Sequence, residues 1–295
     1  MKSLADVWSL FKELAEIKRM IPEIKPVFEY FDKSENPKVS LEKILNAVKK
    51  NPITDDLLKI SKTYYMILRA EKTAEEKGWN YACLESVKEM GVKVELIGEE
   101  HIPVKGPTLY VSNHPYGLLD SAILIGHLGS LLKEREEKLK VIAMNQLRFI
   151  KGLEEILTFV HSTSSGSNLS SLRDSLRYID NGGNLAIYPS GNMSGSGLKE
   201  YPWKNEIASF ISHSSYVVPM WFSGPNHEKI YNFLARHEKT ENLRRVYSLR
   251  EAWSKKGKTI TLNIGKPICS EELMNIKDNK ERIQYLRECA ETLRV

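Results

Sequence analysis

The chain has 295 residues, 41% hydrophobic and 27% charged, which excludes disorder and collagen-like repetition and suits one large α/β domain or a domain with a helical appendage. Lys and Arg outnumber Asp and Glu by 43 to 38, and the excess falls in residues 101–295. That is too mild to indicate nucleic acid, but it suits anionic substrates or an anionic membrane surface. The three cysteines, Cys83, Cys269 and Cys289, lie far apart. They make neither a zinc pair nor a disulfide framework, as expected in a reducing compartment.

No apolar stretch approaches the roughly 18 residues of a spanning helix. The longest, Ala122–Leu132, has eleven residues and includes His127. Asp6, Lys12, Glu13 and Glu16 stand where a signal peptide needs an apolar core. The expectation is a cytoplasmic protein with no signal peptide and no transmembrane helix, with peripheral contact at the inner face of the membrane left open.

Residues 1–90 read as a helical N-terminal subdomain. Leu4, Trp8, Phe11, Leu14 and Ile17 recur at three- and four-residue spacing until Pro22 and Pro26 break the pattern. The polar face of this helix mixes acids with bases, which favours packing in a helical bundle over lying in a headgroup layer. Ser40 suits the N-cap of a helix over Leu41–Lys50, and Asp55 or Asp56 that of a helix through Ala70; a further helix is expected over Glu76–Met90.

From about Val92 the pattern changes. Val92–Ile97, Thr108–Ser112, Lys140–Ala143, Asn184–Tyr188, Tyr216–Phe222 and Thr259–Ile264 read as strands. Ser121–Leu132, Ser167–Asp180 and Glu271–Leu293 read as helices. The alternation predicts an α/β domain over residues 91–295, a mixed, largely parallel central sheet flanked by helices, with ligands at strand C-terminal ends.

Two strand ends carry candidate chemistry. After Thr108–Ser112 comes Asn113-His114-Pro115-Tyr116-Gly117, and then Asp120. Pro115 disfavours the α conformation at His114, and Gly117 allows a tight return of the chain. An imidazole with a carboxylate behind it is the minimal general-base unit. The same residues also read structurally: Asp120 suits a helix N-cap, and His114 a hydrogen-bonding turn residue. After Asn184–Tyr188 comes Pro189-Ser190-Gly191-Asn192-Met193-Ser194, a small-residue turn whose backbone N–H groups suit a phosphate or an oxyanion. A third turn, Ser223-Gly224-Pro225-Asn226, follows Tyr216–Phe222. Three such turns can converge on one sheet edge.

Over about residues 92–268 the sequence resembles the glycerolipid acyltransferase superfamily. The resemblance rests on TLYVSNHPYGLLDSAIL, NGGNLAIYPSGNMS, YPWKNEIASF and VVPMWFSGPN. Where the family has four residues between a histidine and an aspartate, five intervene here, similar to the NHPxGxxD form of the hemolysin-type and ornithine-lipid branches. The resemblance implies that His114 deprotonates an acceptor and Asp120 orients it. It further implies attack on an acyl thioester, acyl-CoA or acyl carrier protein, with no metal and no other cofactor. Asn113, Gly117, Ser190, Gly191, Asn192 and Lys204 are the expected substrate-binding residues.

The chain departs from the family at charged positions. Ser190 stands at the motif's glutamate, Asn192-Met193 replace Thr-Arg, and Phe159-Val160-His161-Ser162 lacks the intervening motif's arginine. Those residues are associated in the family with an acceptor's phosphate; Lys199 and Lys204 lie nearby in this chain. The implied activity is fatty acyl transfer to a lysophospholipid or glycerophosphate-like hydroxyl. An N-acyltransferase making an amino-acid-containing lipid, and an inactive acyl- or lipid-binding protein on the same fold, stay open.

Overall fold

The computed structural model describes residues 45–46, 55–56, 58–160, 168–194, 200–223 and 241–294. The expected helices over Leu4–Ile17 and Leu41–Lys50 therefore lie outside the described residues, apart from a helical pair at 45–46. So do His161, Ser162, Lys199 and the turn at 224–226.

Among the described residues eight strands form one sheet. They are β1 (Lys93–Ile97), β2 (Thr108–Ser112), β3 (Leu139–Met144), β4 (Leu157–Val160), β5 (Asn184–Ile187), β6 (Tyr216–Phe222), β7 (Thr259–Ile264) and β8 (Ile268–Cys269). The order is β1-β7-β6-β2-β5-β3-β4, with β8 on β6. All pairings are parallel except β6 with β7 and β6 with β8. The sheet is thus mixed and largely parallel, as expected.

Both faces of the sheet are covered, which explains why the central strands are apolar without interruption. Leu109, Val111, Leu185, Ile187, Val217 and Trp221 join one cluster; Tyr110, Ala186, Val218, Met220 and Phe222 join the other. The period of two thus shows in which core each residue enters and not in polarity. Pro219, which has no N–H for a ladder, falls where antiparallel cover on β6 changes from β8 to β7. There the Gly265 N–H donates to its carbonyl at 2.8 Å.

On one face lie α1 (Ile60–Lys77), α2 (Trp79–Glu89) and α3. Helix α3 runs over Leu118–Ile123, a π-helical turn at Leu124–Leu128, and Gly129–Glu134. Met66, Trp79, Ala82 and Val87 share a core cluster with the sheet. The expected helix over Glu76–Met90 is cut at Gly78, whose φ of 85° and ψ of 162° leave the helical region. Helix α4 (Leu169–Asp180) follows β4, and α5 (Ala208–Ile211) precedes β6. Helix α6 (Glu241–Ser254), not anticipated from the sequence, precedes β7; α7 (Ser270–Met274) and α8 (Asn279–Glu291) end the chain. Among the described residues no helix is long and apolar enough to cross a membrane.

The register of the central strands is pinned by one fully buried side chain. Asn184 Oδ1 accepts from Thr108 N–H at 3.1 Å, and its Nδ2 donates to Glu137 Oε2 at 2.7 Å. Glu137 Oε1 in turn accepts from Gly106 N–H at 3.2 Å. Asn184→Leu leaves a buried N–H and a carboxylate oxygen without these partners and is expected to cost about 1–3 kcal/mol. Urea unfolding measures it; an unchanged midpoint would mean that the network contributes nothing.

Candidate active site

Strands β5, β2 and β6 are adjacent and parallel, so their C-terminal ends open on one sheet edge. The turns after β2 and β5 meet there, whereas the third turn the sequence suggested lies, beyond Ser223, outside the described residues. Asn113, just past β2, donates from Nδ2 to Phe222 O at 3.0 Å and accepts at Oδ1 from Phe222 N–H at 2.7 Å. Expected at the substrate, this buried carboxamide instead brackets two strand ends.

Gly117 is the N-cap of α3, with φ 65° and ψ −118°. A Cβ at this position would lie 3.0 Å from both Met193 Sδ and Ser248 Oγ, so the close approach of three segments as well as the backbone conformation requires glycine. Gly117 is buried under these neighbours rather than presented to a substrate.

Asp120 is not the N-cap but the third residue of α3. Its Oδ2 accepts from Tyr116 N–H at 2.9 Å, much as a capping-box acid reaches back past the helix start. The same oxygen lies 2.8 Å from His114 Nδ1. The structural and functional readings of this residue therefore describe one carboxylate. Asp120 has no exposed side-chain surface, whereas His114 keeps 18%. Burial pushes the Asp120 carboxyl above its usual range; the His114 bond and the amides of Tyr116 and Gly117 oppose that rise.

The second turn also reaches His114. The Tyr188 ring stacks on the imidazole at 3.9 Å between centroids and 16° between planes. Ser194 N–H donates to His114 O at 2.9 Å. Within this turn the expected open amides are both occupied: Gly191 N–H donates to Tyr188 O at 2.9 Å, and Asn192 N–H to Ser190 Oγ at 3.3 Å. Ser190 Oγ donates to Asn192 O at 2.8 Å, closing the turn on itself. The reason is chemical: a hydroxyl two residues before a backbone N–H competes for it. Lys204 is exposed, and its ammonium lies where a Gly191 Cβ would be, at 2.8 Å, so it sets a positive charge over this turn.

Several neighbours carry no sequence signal. Buried Arg244 of α6 donates from Nη1 to Met193 O and Ser194 O, both at 3.3 Å. Buried Glu200 accepts from Ser194 Oγ. Burial raises the Glu200 carboxyl; the Ser194 bond and the charge of His114 oppose this. Beneath the first turn, Lys255 and Glu251 pair at 3.2 Å with 4% and 1% side-chain exposure. The Lys255 ammonium lies 5.3 Å from the centre of the Tyr116 ring, and the Tyr116 hydroxyl donates to Ser223 O. Burial pulls Lys255 down, with Glu251 opposing. These groups are charged, so residue type alone placed them on the surface.

The raised Asp120 carboxyl has a consequence for stability. An acid whose folded value lies above its unfolded one stabilises the fold below the unfolded value, and that contribution is lost as pH rises through the folded value. Asparagine has a similar shape and stays neutral, although its amide nitrogen would stand where the buried Asp120 Oδ1 has no partner. Asp120→Asn is therefore expected to flatten the stability–pH curve above the usual carboxylate range. Urea unfolding across pH checks this; a pH dependence identical to the wild type's would show that Asp120 contributes no proton linkage to folding.

Residues 93–223 match the family model described as Acyltransferase. A lyso-glycine lipid O-acyltransferase of Phocaeicola vulgatus is 29% identical over 219 residues, covering 70% of this chain and 74% of the relative. The protein of the same name from Bacteroides thetaiotaomicron is 26% identical over 219 residues, covering 70% and 76%. The crystal structure of the 1-acyl-sn-glycerophosphate (LPA) acyltransferase PlsC from Thermotoga maritima aligns with 98% of this chain and 95% of its own, at 15% identity and a TM-score of 0.49. The matched segment contains the three strand ends and the His114–Asp120 pair, and over it the chain is similar to the Acyltransferase family.

Proposed function

We propose that this enzyme moves a fatty acyl group from a thioester, acyl-CoA or acyl carrier protein, to the hydroxyl of a lyso-lipid, with His114 as general base. The observation that carries the reading is the 2.8 Å pairing of a partly exposed imidazole with a fully buried carboxylate. With Asp120 ionised, Nδ1–H donates to it, and Nε2 becomes the basic nitrogen. Nε2 takes the acceptor's proton as the acceptor oxygen attacks the thioester carbonyl. The tetrahedral adduct then expels the thiolate, the C–S bond breaks, and the imidazolium returns its proton to the sulfur. A thioester is already activated, and base catalysis contributes on the order of 10²–10⁴-fold.

The proposed acceptor is a glycine-containing lyso-lipid. Two relatives bear that name, and the chain lacks the charged motif residues that the superfamily associates with a phosphate acceptor. The O-acyl activity in their names favours oxygen over nitrogen as the attacking atom. Lys204, over the second turn, is the proposed cationic contact to an anionic headgroup. A lipid acceptor implies work at a membrane surface, reached peripherally; the positive excess of residues 101–295 suits that contact.

Purified protein supplied with acyl-CoA or acyl carrier protein, and with lyso-glycine lipid, lysophosphatidate or free glycine in parallel, should release thiol fastest with the first acceptor. The product should be an alkali-labile ester by mass spectrometry. An alkali-stable amide would move the reading to N-acylation, and tight acyl binding without thiol release would make this a binding protein. His114→Ala should lower thiol release at least about a hundredfold with its circular dichroism and melting curve unchanged. Wild-type turnover in that variant would remove His114 from the mechanism.

A further inference from the structure

The imidazole has two partners, and only one of them is the carboxylate. A single hydrogen bond from Nδ1 to Asp120 Oδ2 fixes one point of the ring but lets the ring swing about that axis. Tyr188, one residue beyond β5, lies flat against the imidazole face at 3.9 Å and 16°. Its hydroxyl is 3.2 Å from Ser121 Oγ, and Ser121 directly follows Asp120 on α3. One turn of one helix therefore holds the edge of the imidazole directly and its face through Tyr188.

We infer that Tyr188 is a positioning residue for the base: its ring sets the plane of His114 and stabilises the imidazolium formed as the acceptor loses its proton. This rests on His114 being that base. Stacking removes the rotation that the hydrogen bond allows, so Nε2 keeps one direction. The ring's electron-rich face also attracts a cation more than a neutral imidazole, which favours the protonated form. Among the described residues, the groups facing His114 are Asp120 from α3, Tyr188 from the turn after β5, and Glu200 from the chain beyond it, whose charge acts on the imidazole. Burial, reinforced by the Asp120 charge, holds the Tyr188 phenol well above its usual range. It therefore stays a neutral phenol throughout an ordinary assay.

The test separates ring from hydroxyl and positioning from packing. Tyr188→Leu keeps an apolar filler but removes the stack; it should lower kcat about tenfold, with KM for either substrate within about threefold of wild type. The acid limb of its pH–kcat profile should move to lower pH, because the imidazolium loses a stabilising face. Tyr188→Phe keeps the ring and should restore kcat and the acid limb. In a His114→Ala background, Tyr188→Leu should have no further effect on residual activity. Independently of any variant's folding, ring protons of His114 in the wild-type protein should resonate upfield of free imidazole by NMR, because they lie over an aromatic face.

Equal losses in the Leu and Phe variants, an unchanged acid limb in Tyr188→Leu, or ordinary His114 proton shifts would each overturn the inference. If His114→Ala itself stays active, the base assignment fails and takes this inference with it. If His114→Ala is dead while Tyr188→Leu is normal, only the role of Tyr188 is lost.

Discussion

The site depends on one carboxylate having been taken wholly out of water. Asp120 stands in the first turn of α3, where one oxygen meets both a backbone N–H and an imidazole nitrogen. Burial alone works against its negative charge, and that penalty is opposed by the helix start, two amides and the ring. A group held in this way cannot drift. The imidazole it orients reaches the solvent side of a wall that is otherwise packed, with Tyr116 and Leu119 among its fully buried members.

The topology supplies the rest. Because β2 lies between two parallel neighbours, what leaves its C-terminal end is flanked by the ends of β5 and β6. The Asn113 bracket to Phe222 and the Ser194 bond to His114 tie those three strands together at this edge. The small residues of the second turn are used for closeness rather than for open amides, since Gly191 and Asn192 donate within the turn.

The strand positions were legible because their driving force is simple. Thr108–Ser112, Tyr216–Phe222 and Thr259–Ile264 are apolar or alternating runs bounded by turn residues, and all three strands form over those bounds. His114 and Asp120 were legible as a pair, and their meeting follows from the Pro and Gly between them. Strand β4 was missed: it is short, and no Gly or Pro turn marks its start as the glycines at 182–183 mark that of β5. Helix α6 was missed for a different reason. Its inward side presents Arg244 and Glu251, with Lys255 just past its end; all three are buried because each has a polar partner, and residue type assigns such side chains to water. Asn113 was expected at the substrate on the family resemblance, whereas its hydrogen-bonding capacity is directed to the backbone of Phe222. Tyr188 read as the last apolar residue of a strand; only coordinates show an aromatic ring lying on an imidazole.

Helix α6 also carries Trp253, whose Nε1 donates to Thr63 Oγ1 of α1 at 3.0 Å. It therefore connects the first described long helix to the turn that bears His114, and both of these helices lie outside residues 93–223. Strand β1 lies inside that interval, but its pairing among the described residues is to β7, which lies outside it. The segment that the family model matches therefore leaves part of its own support outside its bounds. Cut there, β1 would lose its described strand partner and the turn that bears His114 would lose its buttress.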